Sequence, residues 1–261
     1  RHEWTNKLPI GSVFVDVFNA FPTLSEADRD AMVARALLAV SEQNARLHIK
    51  SSAFAHRMMD RYGAVLSSQF RVVYYRFSDG TSLWQGKQFR SHWSISFLRR
   101  QLKNIDLLIC DCKKIAENDM KYFGPVEGKY QTIYAQCAPH LSLETDRLVK
   151  HRLLWASRIA AEKRPELIRR IANTLRQEFP EIVIDVYGHI DTCYDAQALL
   201  GGPGVNYCGG FDGFDSLPIT NFDAFIYTSA FDGLPNIVLE ALGCGLPVIA
   251  PDIGGISEAV V

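Results

Sequence analysis

Short apolar runs recur along the chain at Ser12–Phe18, Arg71–Tyr75, Ile105–Cys110, Gln131–Tyr134, Leu153–Ala156, Ile182–Tyr187, Ala224–Tyr227 and Pro247–Ala250. Longer segments lie between them, with apolar residues every three or four positions. This alternation predicts βα units and a mostly parallel sheet, an α/β fold. Helices are expected at Glu26–Ala39, Ser52–Tyr62, His92–Leu102 and Lys114–Tyr122. The clearest helix follows Lys163, where Leu167, Ile168, Ile171, Ala172 and Leu175 form one apolar stripe. Pro165 sits in its first turn, where a missing N–H costs nothing, and Pro180 follows its end. Strand Leu153–Ala156, the Arg158–Arg164 loop, this helix and strand Ile182–Tyr187, closed by Gly188, make half of a nucleotide-binding fold. Eight strands are too many for one small half, so two α/β domains are expected, 1–145 and 146–261. The link falls between Pro139 and Arg152, where apolar density drops and charges rise.

Composition narrows the function classes. Lys and Arg (28) nearly balance Asp and Glu (29), so no global field draws the chain to nucleic acid and any anion site must be built locally. Cys110, Cys112, Cys137, Cys193, Cys208 and Cys244 are scattered, without the paired C-x-x-C of a zinc site, which reads as reduced thiols, mostly in the core. No run approaches the roughly 18 apolar residues of a membrane-spanning helix. The N-terminal Arg-His-Glu-Trp has neither an initiating Met nor signal-peptide regions, and the C-terminus stops on an apolar stretch, so both ends are expected to lie inside a longer product.

The sharpest local signal is Phe231-Asp-Gly-Leu-Pro-Asn-Ile-Val-Leu-Glu-Ala241, followed by Gly243-Cys-Gly-Leu-Pro-Val-Ile-Ala250. Gly233 allows a close approach after the Ala224–Tyr227 strand, and Pro235 can open a helix running to about Leu242. The unpaired backbone N–H groups around Gly233, Leu234, Pro235 and Asn236, with the helix dipole, would stabilise a diphosphate. Asp232 and Glu240 lie two turns apart along that axis and can accept from sugar and ribose hydroxyls. Arg158 and Lys163 follow the Leu153–Ala156 strand, at the sheet end where open α/β folds bind ligands, and would neutralise a leaving diphosphate.

The order Arg158-x4-Lys163, Gly188 after a strand, Asp-Gly-Leu-Pro-Asn-x3-Glu-Ala and Gly-x-Pro-Val-Ile-Ala resembles the GT-B-fold retaining glycosyltransferases of family 4. The resemblance is strong over Leu153–Glu258. It implies two Rossmann-like domains, with Arg158 and Lys163 on the donor diphosphate, Asp232 on the donor sugar, Glu240 on the ribose, and the backbone of Gly233–Asn236 on sugar and phosphate. It places the nucleotide base near Gly210 and Phe211. Ile105–Gly124 resembles the last βα unit of the family's N-terminal half. Two departures stand out: Asp232 occupies a position where the family usually has Glu, and neither the N-terminal glycine-rich loop nor an assignable acceptor-side His is found. The implied reaction is hexosyl transfer from a nucleoside-diphosphate sugar to a glycan or lipid-linked acceptor in polysaccharide biosynthesis. It is expected to proceed with retention, with no cofactor and no metal, in the cytoplasm, peripheral membrane association being left open. A non-catalytic nucleotide-sugar-binding partner subunit and a GT-B nucleotide-sugar epimerase are the alternatives.

Weighed singly, several features are structural. Gly201–Gly204 and Gly209-Gly210 lack phosphate-loop form and read as turns, apart from the base position implied at Gly210. His48, His56, His92 and His140 are acceptor-side candidates, none assigned as a base. Asp111, after its strand, reads equally as a cleft residue and a strand-end turn Asp. Trp84, Phe89, Trp93 and Phe97 read mainly as core.

Overall fold

Two of the predicted N-terminal helices begin where a serine satisfies an amide of the first turn. Ser25 Oγ accepts from Asp28 N (3.2 Å) at the start of helix α2 (Glu26–Ala39), and Ser52 Oγ accepts from Ala55 N (3.1 Å) at the start of α3 (Ala53–Gln69). A computed structural model describes residues 8–40, 42, 44–84, 87–126, 128–137, 148–190 and 200–260. The chain divides into two units, Arg1–Tyr75 with Phe97–Leu107, and Arg76–Ser96 with Leu108–Val261. Most of the expected domain link, together with His140 and Cys193, lies outside the described residues.

In the first unit, strand β1 (Arg46–Lys50) pairs in parallel with β2 (Arg71–Arg76), from Arg46 opposite Arg71 to Lys50 opposite Tyr75. Helix α3 runs a full two turns past the expected end. It passes through Gly63 because the missing side chain makes room for Gln101 and Asn104; an added Cβ would sit 2.7 Å from Gln101 Oε1 and 3.0 Å from Asn104 Nδ2. Asp30 on α2, fully buried, accepts from Arg57 and Arg61 on α3. His56 is a core histidine, stacked on Phe97 at 3.7 Å between ring centroids and bonded through Nε2 to Tyr74 Oη (2.8 Å). His48 Nδ1 lies 2.9 Å from Tyr75 Oη. The expected strand Ser12–Phe18 is absent: residues 12–16 carry no strand and Val17–Ala20 forms a short helix, α1. Val13 and Val15 are exposed, with no ladder partner among the described residues to turn an apolar run into a strand.

The second unit holds the hairpin of β3 (Thr81–Trp84) and β4 (Lys87–Arg90), then β5 (Leu107–Cys110), α5 (Lys113–Phe123) and β6 (Tyr130–Thr132), with β5 and β6 parallel. Helix α4 (His92–Gln101) precedes β5 in the chain. The remainder is a five-stranded sheet of β7 (Arg152–Ala156), β8 (Val183–Tyr187), β9 (Val205–Gly209), β10 (Ala224–Ile226) and β11 (Val248–Ile249), in the order β11-β10-β7-β8-β9 and parallel throughout. Chain order therefore reverses beside β7, the doubly wound pattern with a switch point between β7 and β10.

The sheet is covered on both faces, as a parallel sheet requires. Leu154 and Ala156 of β7 face a core with Phe225, Tyr227, Val238 and Ala241, while Trp155 faces Ile168, Ala172, Ile184 and Val186. Helix α6 (Glu166–Leu175) supplies Ile168 and Ala172, and α7 (Asn236–Gly243) supplies Val238 and Ala241. Strands β1, β9 and the β3–β4 hairpin escape the sequence pattern because their residues are mainly polar or exposed: β9 reads Val-Asn-Tyr-Cys-Gly, with only Val205 buried.

Gly188 ends β8 against β7. A Cβ there would collide with the Ser157 carbonyl oxygen, a backbone atom that cannot swing aside. Gly188→Ala is expected to cost about 3 kcal/mol, at the upper end of ordinary overpacking. A denaturant midpoint unchanged from the parent would contradict it.

Candidate active site

The loops leaving β7 and β10 meet at the switch point and are stitched together by short-range bonds. Trp155 Nε1 donates to Thr228 Oγ1 (2.9 Å), and Thr228 Oγ1 donates to the Lys163 carbonyl (2.6 Å). Ser229 Oγ and the Ala230 amide both donate to the Glu162 carbonyl, at 3.0 and 2.7 Å. The turn Ala161–Lys163 ends at Arg164, in the left-handed region at φ 54°, which returns the chain into α6. These bonds fix the backbone beneath Lys163, so its side chain is aimed by the fold.

Lys163 Nζ donates to Asp232 Oδ2 at 2.5 Å and to Tyr227 Oη at 3.0 Å, and Tyr227 Oη donates to the same carboxylate oxygen. The other oxygen, Oδ1, accepts from the Gly233 amide at 3.0 Å. Burial, then the Asp232 charge, pushes the Tyr227 phenol well above its usual range, so it stays a donor. The residues that follow are closely packed: a Cβ at Gly254 would strike the Asp232 and Gly233 carbonyl oxygens, and Gly254 takes φ 53°. The Gly255 amide donates to the Gly233 carbonyl (2.9 Å).

Helix α7 starts after Pro235 without a side-chain cap and without an acid in its first turn. Its first amides therefore have no side-chain acceptor, the arrangement that suits an anion-binding helix end. Leu234 is buried beside Cys110, Cys112, Ile115 and Ala116, and Pro235 is buried, while Asn236 is exposed. Asp232 does not cap this helix; it serves Lys163, Tyr227 and its own neighbour's amide.

The remaining predicted residues lie elsewhere in the same unit. Arg158 is exposed and pairs with Glu162 one turn on. Glu240 lies half-buried in the fifth position of α7, and its charge reaches Cys137 and Cys244. Gly210 follows β9 with the His189 ring against it, so that a Cβ would collide with the imidazole, and Phe211 packs on the core beside α7. Sequence reasoning missed Tyr227, Thr228 and Ser229, which position Lys163 and Asp232; a Tyr-Thr-Ser run directly after an apolar strand was the available signal. It also missed Gln88 of β4, whose Nε2 donates to the Ala230 carbonyl at 2.5 Å, placing the hairpin beside the β10 loop. Phe97 is core as expected, whereas Phe89 and Trp93 are exposed. The side chains of Trp84 and His92 lie outside the described set.

Residues 150–261 match the family model described as Glycosyl transferases group 1. No curated protein matches the sequence. Among solved structures, the chain is similar to the pneumococcal O-GlcNAc transferase GtfA in complex with UDP and GlcNAc, at 15% identity and a TM-score of 0.71, covering 89% of this chain and 47% of that one. It is also similar to sucrose-phosphate synthase from Thermosynechococcus elongatus, at 18% identity and a TM-score of 0.66, covering 90% and 63%. A third is Anabaena HepE in complex with UDP and glucose, at 16% and 0.64, covering 96% and 68%. The fold is of the GT-B type. This GT-B chain spans about half the length of the pneumococcal transferase. Among its described residues no helix is long and apolar enough to cross a membrane.

Proposed function

We propose that this GT-B chain carries the donor-binding site of a glycosyltransferase, one that moves a hexosyl group from a nucleoside-diphosphate sugar to a glycan or lipid-linked acceptor with retention. The observation that carries the reading is the Lys163–Asp232–Tyr227 cluster at the β7/β10 switch point, beside the uncapped start of α7. The family match over 150–261 and the UDP bound by similar structures support it.

In this reading the diphosphate docks on the first amides of α7 and on Lys163, with Arg158 closing from the exposed side. Lys163 and the helix end stabilise charge as the diphosphate leaves, a role that requires no side-chain nucleophile and no metal. Asp232, held on one side by Lys163 and on the other by the Gly233 amide, receives a sugar hydroxyl, and Glu240 a ribose hydroxyl. Gly210 and Phe211 receive the base. The protein is assigned to the cytoplasm. A non-catalytic subunit is the second reading, favoured by one observation: both Asp232 oxygens are already engaged within the chain.

The deciding experiment is thermal stabilisation by UDP, GDP, ADP and their sugar conjugates. A ligand at 100 times its Kd adds about 2.7 kcal/mol, which at 2–4 °C per kcal/mol is a rise of roughly 5–10 °C. One nucleotide raising Tm in this way supports the site, and no response to any of them sinks it. Release of nucleoside diphosphate with an acceptor present then separates the enzyme from the binding subunit.

A further inference from the structure

Asp111 follows β5 and rests directly on the loop that leads into α7. A Cβ added at Gly233 would lie 2.7 Å from Asp111 Oδ2, 2.8 Å from Oδ1 and 2.8 Å from the Phe77 carbonyl oxygen, so only glycine lets the carboxyl lie against this backbone. The contact is held in place from below: Leu234 packs with Cys110, Cys112, Ile115 and Ala116 of the β5–α5 segment. From above, Gly255 lies so close to Cys112 that a Cβ would collide with it. Asp111 Oδ1 is buried and, among the described residues, has no hydrogen-bond partner. The two cations read into the site are committed elsewhere, Lys163 to Asp232 and Arg158 to Glu162. A carboxyl with no counterion among the described residues thus sits at the amides where an anionic ligand would dock.

Resting on the donor-site reading above, we propose that Asp111 is a built-in competitor of the bound diphosphate: its carboxylate opposes the ligand at the start of α7, and donor binding is coupled to uptake of one proton by this side chain. The proton comes from solvent onto a carboxylate oxygen, and no other bond is made or broken. Asp111 would thereby set how tightly the nucleotide is held rather than touch the reacting atoms.

The groups acting on Asp111 agree with this direction. Burial pushes its carboxyl up to about 6, with the Asp232 charge adding to the rise and the Leu234 amide and Cys112 thiol opposing it. The thiols of Cys110 and Cys112 are themselves pushed up to about 12, so both are neutral near pH 7. Glu258 acts on Cys112 from the far side, but its carboxylate is occupied by the Lys113 and Lys114 amides and the Tyr134 hydroxyl. Free Asp111 is therefore mostly ionised at pH 7.5, and a diphosphate placed beside it raises its proton affinity further.

The test is titration calorimetry of the whole chain with UDP, and with GDP and ADP, at pH 7.5 in two buffers of different ionisation enthalpy, for the parent and Asp111→Asn. The parent is expected to take up close to one proton more than the variant, and the variant to bind up to about thirtyfold more tightly, which corresponds to the roughly 1.5 pH units between pH 7.5 and a carboxyl near 6. The phosphate's own titration near pH 6 is common to both proteins and cancels in the difference. Equal proton counts, or weaker binding by the variant, overturn the proposal while leaving the donor site standing. A parent that binds none of the three nucleotides overturns both. If Asp111→Asn does not fold, Asp111→Ser takes its place, and the parent's uptake beyond that of the nucleotide alone still reads the coupling directly.

Discussion

Lys163→Ala is expected to lower glycosyl-transfer turnover by about 100- to 1,000-fold, the usual effect of removing one preorganised group that meets developing negative charge. The same substitution should remove most of the thermal stabilisation given by a nucleoside diphosphate. Folding itself should suffer little, because a partly exposed ion pair contributes only about 0–1 kcal/mol, and the backbone around residue 163 is held by Thr228 and Ser229 rather than by the lysine side chain. Lys163→Arg should not restore activity. The ammonium fits a point between Asp232 Oδ2 and Tyr227 Oη, 2.5 and 3.0 Å away, and a planar guanidinium of greater reach would have to displace one of them. Asp232→Asn provides the comparison: it removes the partner charge but leaves the cation, so diphosphate binding should persist or tighten while preference for the sugar conjugate falls. Wild-type turnover from Lys163→Ala, with a functional assay in hand, would remove this lysine from the chemistry.

The C-terminal sheet was legible because a parallel sheet covered on both faces writes itself as continuous apolar runs, and four of its five strands were found that way. Its fifth, β9, was not, since Asn206, Tyr207 and Cys208 are exposed and only Val205 enters the core. The apolar run at Ser12–Phe18 failed in the opposite sense: hydrophobicity was present, but no strand among the described residues receives it. Strand formation is a property of pairs, and a single stretch of sequence shows only one partner. For the site, Lys163 and Asp232 were visible as members of a motif, 69 residues apart, and the fold brings them into a hydrogen bond. The residues that aim them were less visible, because Thr228, Ser229 and Tyr227 act through backbone carbonyls and hydroxyl geometry, which leave no spacing rule in the chain. Asp111 could be placed at a strand end, yet its seat on Gly233 depends on packing between segments more than 100 residues apart.

The largest stability effect should come from a residue that touches none of the ligand-facing groups. Asp119 on α5 is fully buried and accepts from the Arg76 guanidinium through both oxygens, Nη2 to Oδ1 at 2.7 Å, and from Tyr130 Oη at 3.1 Å. Arg76 is only 2% exposed and also donates to Ser94 Oγ at 2.7 Å. Burial and the Asp119 charge push the Tyr130 phenol far above its usual range, so the tyrosine remains a donor to that carboxylate. Asp119→Asn keeps the shape but leaves a buried guanidinium facing a neutral amide. Breaking one partner of such a pair costs about 3–5 kcal/mol, a fall in Tm of roughly 6–20 °C. Replacing both charges, with Arg76→Met and Asp119→Leu together, should recover much of the loss, because the penalty lies in the stranded charge and not in the absence of a bond. A loss below 1 kcal/mol for Asp119→Asn would mean that water reaches Arg76. The consequence for the site is indirect but specific. Asp111 and Cys112 lead directly into α5, whose first amides donate to Glu258, so loosening the Arg76–Asp119 anchor should weaken the contact of Asp111 with Gly233 before it disturbs Lys163 and Asp232. In Asp119→Asn, well below its lowered Tm, nucleotide binding should therefore survive while the proton uptake assigned to Asp111 diminishes.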